Sequence, residues 1–240
     1  MESREYQKMH DLEKTNWWYT SRRKLISLFL RKYVPKWNRI LDVGCGTGAN
    51  GLEFSKNYDY TGIDSNPEAI KFSKNTLKNV CLMNAENLKF KRNSFSAVLC
   101  LDVLEHLKNE RIALKSIRNI LKEDGTLIIT VPAFMFLWSD HDKFLHHYRR
   151  YSQKELESLL SASGFKVLRK TYWNSFLFLP VLILRKIKSI FGSSSSDLEE
   201  VHPLVNSLLT GILNLEAFLI SKGINFPFGI SIVLIAKKSQ

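Results

Sequence analysis

The run Ile40-Leu41-Asp42-Val43-Gly44-Cys45-Gly46-Thr47-Gly48 constrains this chain more than any other stretch. Apolar and β-branched residues with an acid near the end read as a buried strand. Three alternating glycines directly after it read as a tight turn where a ligand lies against bare backbone. Gly46-Thr47-Gly48-Ala49-Asn50-Gly51 also satisfies G-x-G-x-x-G, the fingerprint of dinucleotide-binding turns. Asp42 favours a different ligand. A carboxylate two residues before the first glycine repels a pyrophosphate but attracts a cation.

Further segments follow in order. Tyr60-Thr61-Gly62-Ile63-Asp64 is a second strand ending in an acid, and Asn84-Ala85-Glu86 is a short polar stretch. Phe95 to Asp102 is a fourth strand, followed by Val103-Leu104-Glu105-His106-Leu107. Leu121 to Pro132 reads as a helix end, a glycine stop at Gly125 and a fifth strand. Together these resemble the class I S-adenosylmethionine-dependent methyltransferases, whose first motif has a hydrophobic pair before D-x-G-x-G-x-G. The resemblance implies S-adenosyl-L-methionine as cofactor, a ligand carrying an ammonium and a sulfonium. It places Asp42, Gly44, Gly46 and Gly48 at the donor, Asp64 at the ribose hydroxyls, Ala85 and Glu86 beside the adenine, and the Leu101 backbone in the same cleft. A dinucleotide (NAD) enzyme and an inactive methyltransferase-like scaffold at a membrane glycan-assembly complex are the alternatives.

The implied fold is a doubly wound, Rossmann-like seven-stranded sheet of order 3-2-1-4-5-7-6 with a reversed last strand. Residues 1–37 form an N-terminal helical cap, 38–172 the cofactor-binding core, 173–228 a helical insertion and 229–240 the final strand. The alternation of strand and helix patterns from Asn38 to Pro132 fits this. Asn66-Pro67-Glu68 opens a helix with proline early and an acid in the first turn. Strand six is expected over Gly164–Tyr172 and strand seven over Gly229–Lys238, with about fifty-five residues between them. Leu25, Ile26, Leu28, Phe29, Leu30 and Tyr33 have helical spacing and look like core contacts, while Trp17 to Arg23 either closes over a ligand or packs on the sheet with its arginines in solvent.

The insertion is peculiar. Phe176 to Leu184 is apolar without alternation, then Arg185-Lys186-Ile187-Lys188 turns basic. Ile183, Ile187, Ile190 and Phe191 share one helical face. Nine apolar residues cannot cross a bilayer, which takes about 20 in a helix, so an interfacial segment on an anionic membrane surface is expected. Gly192 to Ser196 reads as a linker. A second helix, Pro203 to Ser221, has a wide apolar arc of Leu204, Leu208, Ile212, Leu215 and Leu219, and an uncharged polar strip of Asn206, Thr210, Asn214 and Ser221. A cap on the sheet edge or a dimer contact is the rival reading, and the oligomeric state stays open.

The formal charge is +12 in 240 residues. Its basic residues are scattered or in short clusters beside apolar runs, with no RNA-binding motif of interleaved aromatics, so no nucleic-acid partner is expected. Cys45, Cys81 and Cys100 lack metal-ligand spacing and read as buried filler in a reduced compartment. No apolar run resembling a signal peptide follows Met1, which predicts a cytoplasmic protein, peripheral on the inner membrane face.

The segment after strand five, Trp138-Ser139-Asp140-His141-Asp142 through His146-His147-Tyr148-Arg149-Arg150-Tyr151, resembles the W-S-x-H-D…H-x-R-R-Y loop of methyltransferases associated with glycan or lipid assembly. His146 stands where that loop usually has a small residue. The resemblance implies a small-molecule or lipid-linked glycan acceptor, methylated on oxygen. A high-pKa hydroxyl needs a base, for which His141 or His147 is suited, with Asp142 to orient it. Arg149 and Arg150, with Tyr151, offer planar forks and a ring to the acceptor. These histidines and Asp142 could ligate a metal, but with no second acidic cluster none is expected. Ser152 and Glu155 predict a capping box on the next helix.

Overall fold

The computed structural model describes residues 3–191 and 201–239, with side chains over 6–186 and 201–239. Seven strands form one sheet of order β3-β2-β1-β4-β5-β7-β6. They are β1 (Arg39–Val43), β2 (Asp59–Asp64), β3 (Val80–Leu82), β4 (Phe95–Leu101), β5 (Leu121–Pro132), β6 (Phe165–Trp173) and β7 (Ser231–Lys238). β1 to β5 pair in parallel, while β7 runs antiparallel to both β5 and β6. This is the expected doubly wound class I methyltransferase sheet with its reversed last strand.

The nine helices of the described residues are α1 (Ser3–Thr15), α2 (Trp17–Tyr33), α3 (Ala49–Phe54), α4 (Pro67–Lys74), α5 (Glu110–Ile120), α6 (Asp140–Phe144), α7 (Gln153–Ala162), α8 (Phe178–Phe191) and α9 (Pro203–Ser221). Strand alternation sorts the core into two layers. Leu41, Val43, Val98, Cys100, Leu127 and Ile129 face α5 and α7 through Leu114, Ile117, Leu156 and Leu160. Ile40, Ala97, Leu99, Ile128, Val233 and Ile235 face α2 and α9 through Leu25, Ile26, Phe29, Leu213, Ala217 and Ile220. Burying each of the Val, Leu, Ile and Phe side chains among them stabilises the fold by about 1.5–3 kcal/mol. The caps follow local chemistry: Asn66 accepts from the Glu68 amide with Pro67 in the first turn, and Ser152 and Glu155 cap each other at α7.

Two expectations change. Leu121 to Gly125 is not a helix end, because α5 stops at Ile120 and β5 starts at Leu121 through an irregular register opposite Phe95. The insertion is a layer of the fold as well as an appendage. α9 lies across α2, and its Asn206 accepts from the Trp17 amide at 2.8 Å and donates to the Thr15 carbonyl at 2.9 Å. The arc of Leu204, Leu208 and Leu215 faces outward, 76%, 65% and 54% exposed, while Leu213, Ala217 and Ile220 seal the core. α9 is long and apolar enough to cross a membrane by length and composition, yet part of it forms this core layer. Glu216, which the sequence reading passed over, is fully buried there and accepts from the backbone amides of Ser175 and Phe176. The linker at 192–196 and the side chains of Ile187, Lys188, Ile190 and Phe191 lie outside the described residues.

Candidate active site

One cavity of about 1010 Å³ opens at the C-terminal ends of β1, β2, β4 and β5. Its floor is the glycine turn. Gly44 and Gly48 have φ of 74° and 97°, a region costly for residues with a Cβ. A Cβ at Gly44 would also stand 2.5 Å from the Val103 side chain. The end of β2 clamps the turn. The Ile63 carbonyl accepts from the Gly44 and Cys45 amides at 2.8 and 2.9 Å, and an Asp64 oxygen accepts from the Gly46 amide at 3.0 Å. The other Asp64 oxygen accepts from the Asn66 amide at 2.9 Å. Burial raises the Asp64 carboxyl even so.

Gly44, Gly46, Asp64, Met83, Asn84, Ala85 and Leu101 line the cavity, while Asp42, Gly48 and Glu86 do not. Asp42 is fully buried under the turn, accepting from the Tyr60 hydroxyl at 3.0 Å and from Asn50 at 3.4 Å. Its Oδ1 has no partner, and burial pushes the carboxyl up to about 7. Asp42 therefore lies beneath the turn, without direct exposure to the cavity. Glu86 is half-buried and engaged through its backbone, whose amide donates to Asn84 and whose carbonyl accepts from Ser116.

A roof of N-terminal helices closes this end. Met9 and Glu13 of α1 sit over Gly46, the Thr47 hydroxyl donates to Glu13, and His10 lies 3.2 Å from the same hydroxyl. Arg22 of α2 is buried, stands 4.4 Å from the Trp18 ring and pairs with Asp102 at the end of β4. Arg22 thus lines the cavity, and Arg23 does not. The α1 residues were missed because nothing in a polar amphipathic helix announces what it covers.

The other end of the cavity is built around Asp142. Ser139 caps α6 and donates its amide to Asp142 Oδ2 at 2.9 Å. His147 Nδ1 lies 2.9 Å from Oδ1, and Arg150 binds both oxygens at 2.8 and 2.9 Å. Burial alone would raise this carboxyl; the His147 and Arg150 contacts hold it well below the usual carboxylate range. His141, His146 and His147 line the cavity, and Asp142 stands behind them.

The expected arginine grip changes here. Arg149 points away, bound to Glu110 and to the carbonyls of Leu107 and Lys108 at 3.1 and 3.0 Å. Arg150 borders the cavity, but its fork is taken up by Asp142 and the Ala133 carbonyl. Tyr151 is a core residue bridged to Ala133 and does not line this cavity. A buried guanidinium must be paired, and sequence cannot show that its partners lie in the same loop. Arg185, expected in the basic collar, donates to the Leu137 carbonyl at 2.8 Å and borders the cavity.

The turn after β4 adds two groups. Glu105 is fully buried, with both carboxylate oxygens unpartnered and its carboxyl raised well above normal, by burial first and by Asp102 next. The His106 ring meets the His147 ring edge-on at 4.6 Å, and burial holds it down at about 4. Their position was the available signal, since ligands in open α/β sheets bind at the C-terminal ends of strands.

Residues 12–170 match the family model described as a methyltransferase domain. That is more than half of the chain, so this protein belongs to the methyltransferase domain family. No curated protein matches. The fold is shared with an S-adenosylmethionine-dependent methyltransferase from Archaeoglobus fulgidus, at 20% identity and TM-score 0.58, covering 96% of this chain and 99% of the other. A Methanosarcina mazei S-adenosylmethionine-dependent methyltransferase aligns at 20% identity and TM-score 0.59, covering 88% and 97%. Haemonchus contortus phosphoethanolamine N-methyltransferase 2, solved with S-adenosylmethionine, aligns at 16% and TM-score 0.60, covering 90% and 52%.

The cofactor is S-adenosylmethionine, and this chain's residues fit it. The glycine cradle admits a ligand against backbone, Asp64 borders the space, and the buried Asp42 with its orphan oxygen favours a cation above it. The chain is an S-adenosylmethionine-dependent methyltransferase.

Proposed function

We propose that this methyltransferase acts on an oxygen of an amphiphilic acceptor, a lipid-linked glycan or similar small molecule. The observation that carries the reading is the continuity of the cavity. Gly44, Asp64 and His147 line the same cavity as the apolar Leu177, Val181 and Leu184 before and along α8 and Val205 and Leu209 on α9. When bound, S-adenosylmethionine supplies a sulfonium methyl already activated for displacement. The chain's own work is alignment and proton removal. His147, fixed by Asp142 in ring orientation and tautomer, is the proposed base. It takes the hydroxyl proton as the acceptor's O–C bond forms and the donor's C–S bond breaks, leaving S-adenosylhomocysteine. His141 borders the same space and is proposed to contact the acceptor.

A membrane-held acceptor accounts for the outward Leu204 and Leu208 on the helix that lines the tail end. The test is methyl transfer from labelled S-adenosylmethionine into membrane-lipid and water-soluble extracts of the source cells. Alkali-stable label in the organic phase is expected. Label confined to the aqueous phase would refute the amphiphile, and absence of any turnover would favour a scaffold.

A further inference from the structure

The turn after β4 and the loop before α7 bring together Glu105, His106 and His147, with one donor atom from each within 4.8 Å of the others. No reading of either segment alone assembles this set. The His147 ring is already held on one side, with Nδ1 facing the Asp142 carboxylate at 2.9 Å. Metal-bound imidazoles are oriented in this way, with the second nitrogen tied to a carboxylate or carbonyl.

Glu105 is the independent observation. It is fully buried, both oxygens lack a hydrogen-bond partner, and it borders the cavity beside the two rings. Such a carboxyl stays protonated until a cation takes the proton's place, and both of its oxygens are free of other partners to receive one.

We propose that Glu105, His106 and His147 bind one divalent transition-metal ion whose remaining positions face the acceptor end of the cavity. Two imidazoles and one carboxylate with open positions suit zinc, cobalt(II) or iron(II) better than magnesium or calcium. Bonds of about 2.0–2.2 Å set tetrahedral donors roughly 3.4 Å apart, within reach of side-chain rotation from the present arrangement. The ion's ligand is an oxygen of the acceptor, whose hydroxyl pKa it lowers. This deepens the functional reading and rests on it for that last step. With the ion bound, His147 is a ligand and no longer the base, and the proton of the metal-bound hydroxyl passes to solvent water.

Cobalt(II) is the probe, titrated into the chelator-treated full chain and followed by visible absorption and equilibrium dialysis. One ion per chain is expected, displaced by zinc. Affinity should fall at least ~10-fold in each of Glu105→Gln, His106→Asn and His147→Asn, and stay unchanged in His202→Ala, a surface-histidine control. Asp142→Asn should weaken binding by about 10–100-fold as an outer partner. Circular dichroism and thermal melts with and without cobalt(II) identify any variant that fails to fold. Glu105→Gln, nearly isosteric, should keep the fold while losing the cobalt-induced rise in Tm. No saturable uptake by the wild type, or uptake unaffected by Glu105→Gln, overturns the inference. Methyl transfer that persists after chelation, with no cobalt(II) uptake, leaves the functional reading standing and removes only the metal. Specific uptake without any methylated acceptor does the reverse.

Discussion

Oδ1 of Asp142 lies 2.9 Å from Nδ1 of His147, and the same carboxylate takes both arms of the Arg150 fork. One buried anion therefore orients a ring in the cavity and neutralises a guanidinium behind it. Asp142→Asn removes the charge and leaves Arg150 uncompensated. Breaking a buried pair in this way costs about 3–5 kcal/mol. Denaturant unfolding should show that loss, and Asp142→Asn with Arg150→Met should recover most of it without restoring methyl transfer. Full stability in Asp142→Asn alone would refute the pairing argument.

Asp42 predicts a pH dependence of opposite sign to that of an ordinary paired carboxylate. Its folded pKa is pushed up to about 7 by burial, against about 3.9 for an unperturbed aspartate. Between those values the folded chain binds more protons than the unfolded one, so stability falls as pH rises. The loss is complete above the folded pKa and amounts to no more than about 4 kcal/mol. Asp42→Asn removes it. Unfolding free energies of the ligand-free protein at about pH 5 and about pH 8 should show the variant gaining on the wild type at the higher pH. A gap independent of pH would contradict a raised Asp42.

Arg22 and Arg23 are adjacent on α2 but should behave differently. Arg22 is buried against Trp18 and paired with Asp102 on the cofactor side of the cavity, while Arg23 is half-buried outside it. Arg22→Ala should destabilise the fold by about 3 kcal/mol, the lower end for a broken buried pair. It should also weaken S-adenosylmethionine binding by about tenfold or more in calorimetry. Arg23→Ala should stay within about 0.5 kcal/mol and bind normally. Equal effects would undo the distinction.

Local signals made the fold readable. A strand feeding Gly44, an acid closing β2 at Asp64, and the Asn66 and Ser152 caps each depend on residues within a few positions of one another, which is where sequence speaks plainly. The site was legible where it is backbone, as at the glycine turn and Ala85. It was not legible where partners come from afar. The sequence marks Arg149 and Arg150 as a pair of forks, but Glu110, 39 positions before Arg149, takes up the first of them. Glu105 beside His147 is likewise a tertiary event. The apolar arc of α9 was read correctly as an arc, but periodicity cannot say which side meets the core when both sides are apolar.

Leu209 offers a test that separates acceptor binding from cofactor binding. It sits on α9, partly buried, and lines the cavity. Leu209→Trp fills space there without touching Gly44, Asp64 or Ala85. An acceptor tail of a few methylenes displaced from that wall forfeits about 0.8 kcal/mol for each buried CH₂. The tail makes the same contacts in the ground state and the transition state, so the loss should appear in KM and leave kcat nearly constant. For a long-tailed acceptor KM should rise about tenfold or more, corresponding to about two methylenes. A tail-truncated acceptor should be unaffected. S-adenosylmethionine affinity, measured by calorimetry, should match the wild type. If Leu209→Trp weakens cofactor binding as much as acceptor binding, the apolar wall belongs to the donor end, and the acceptor has no tail site between α8 and α9.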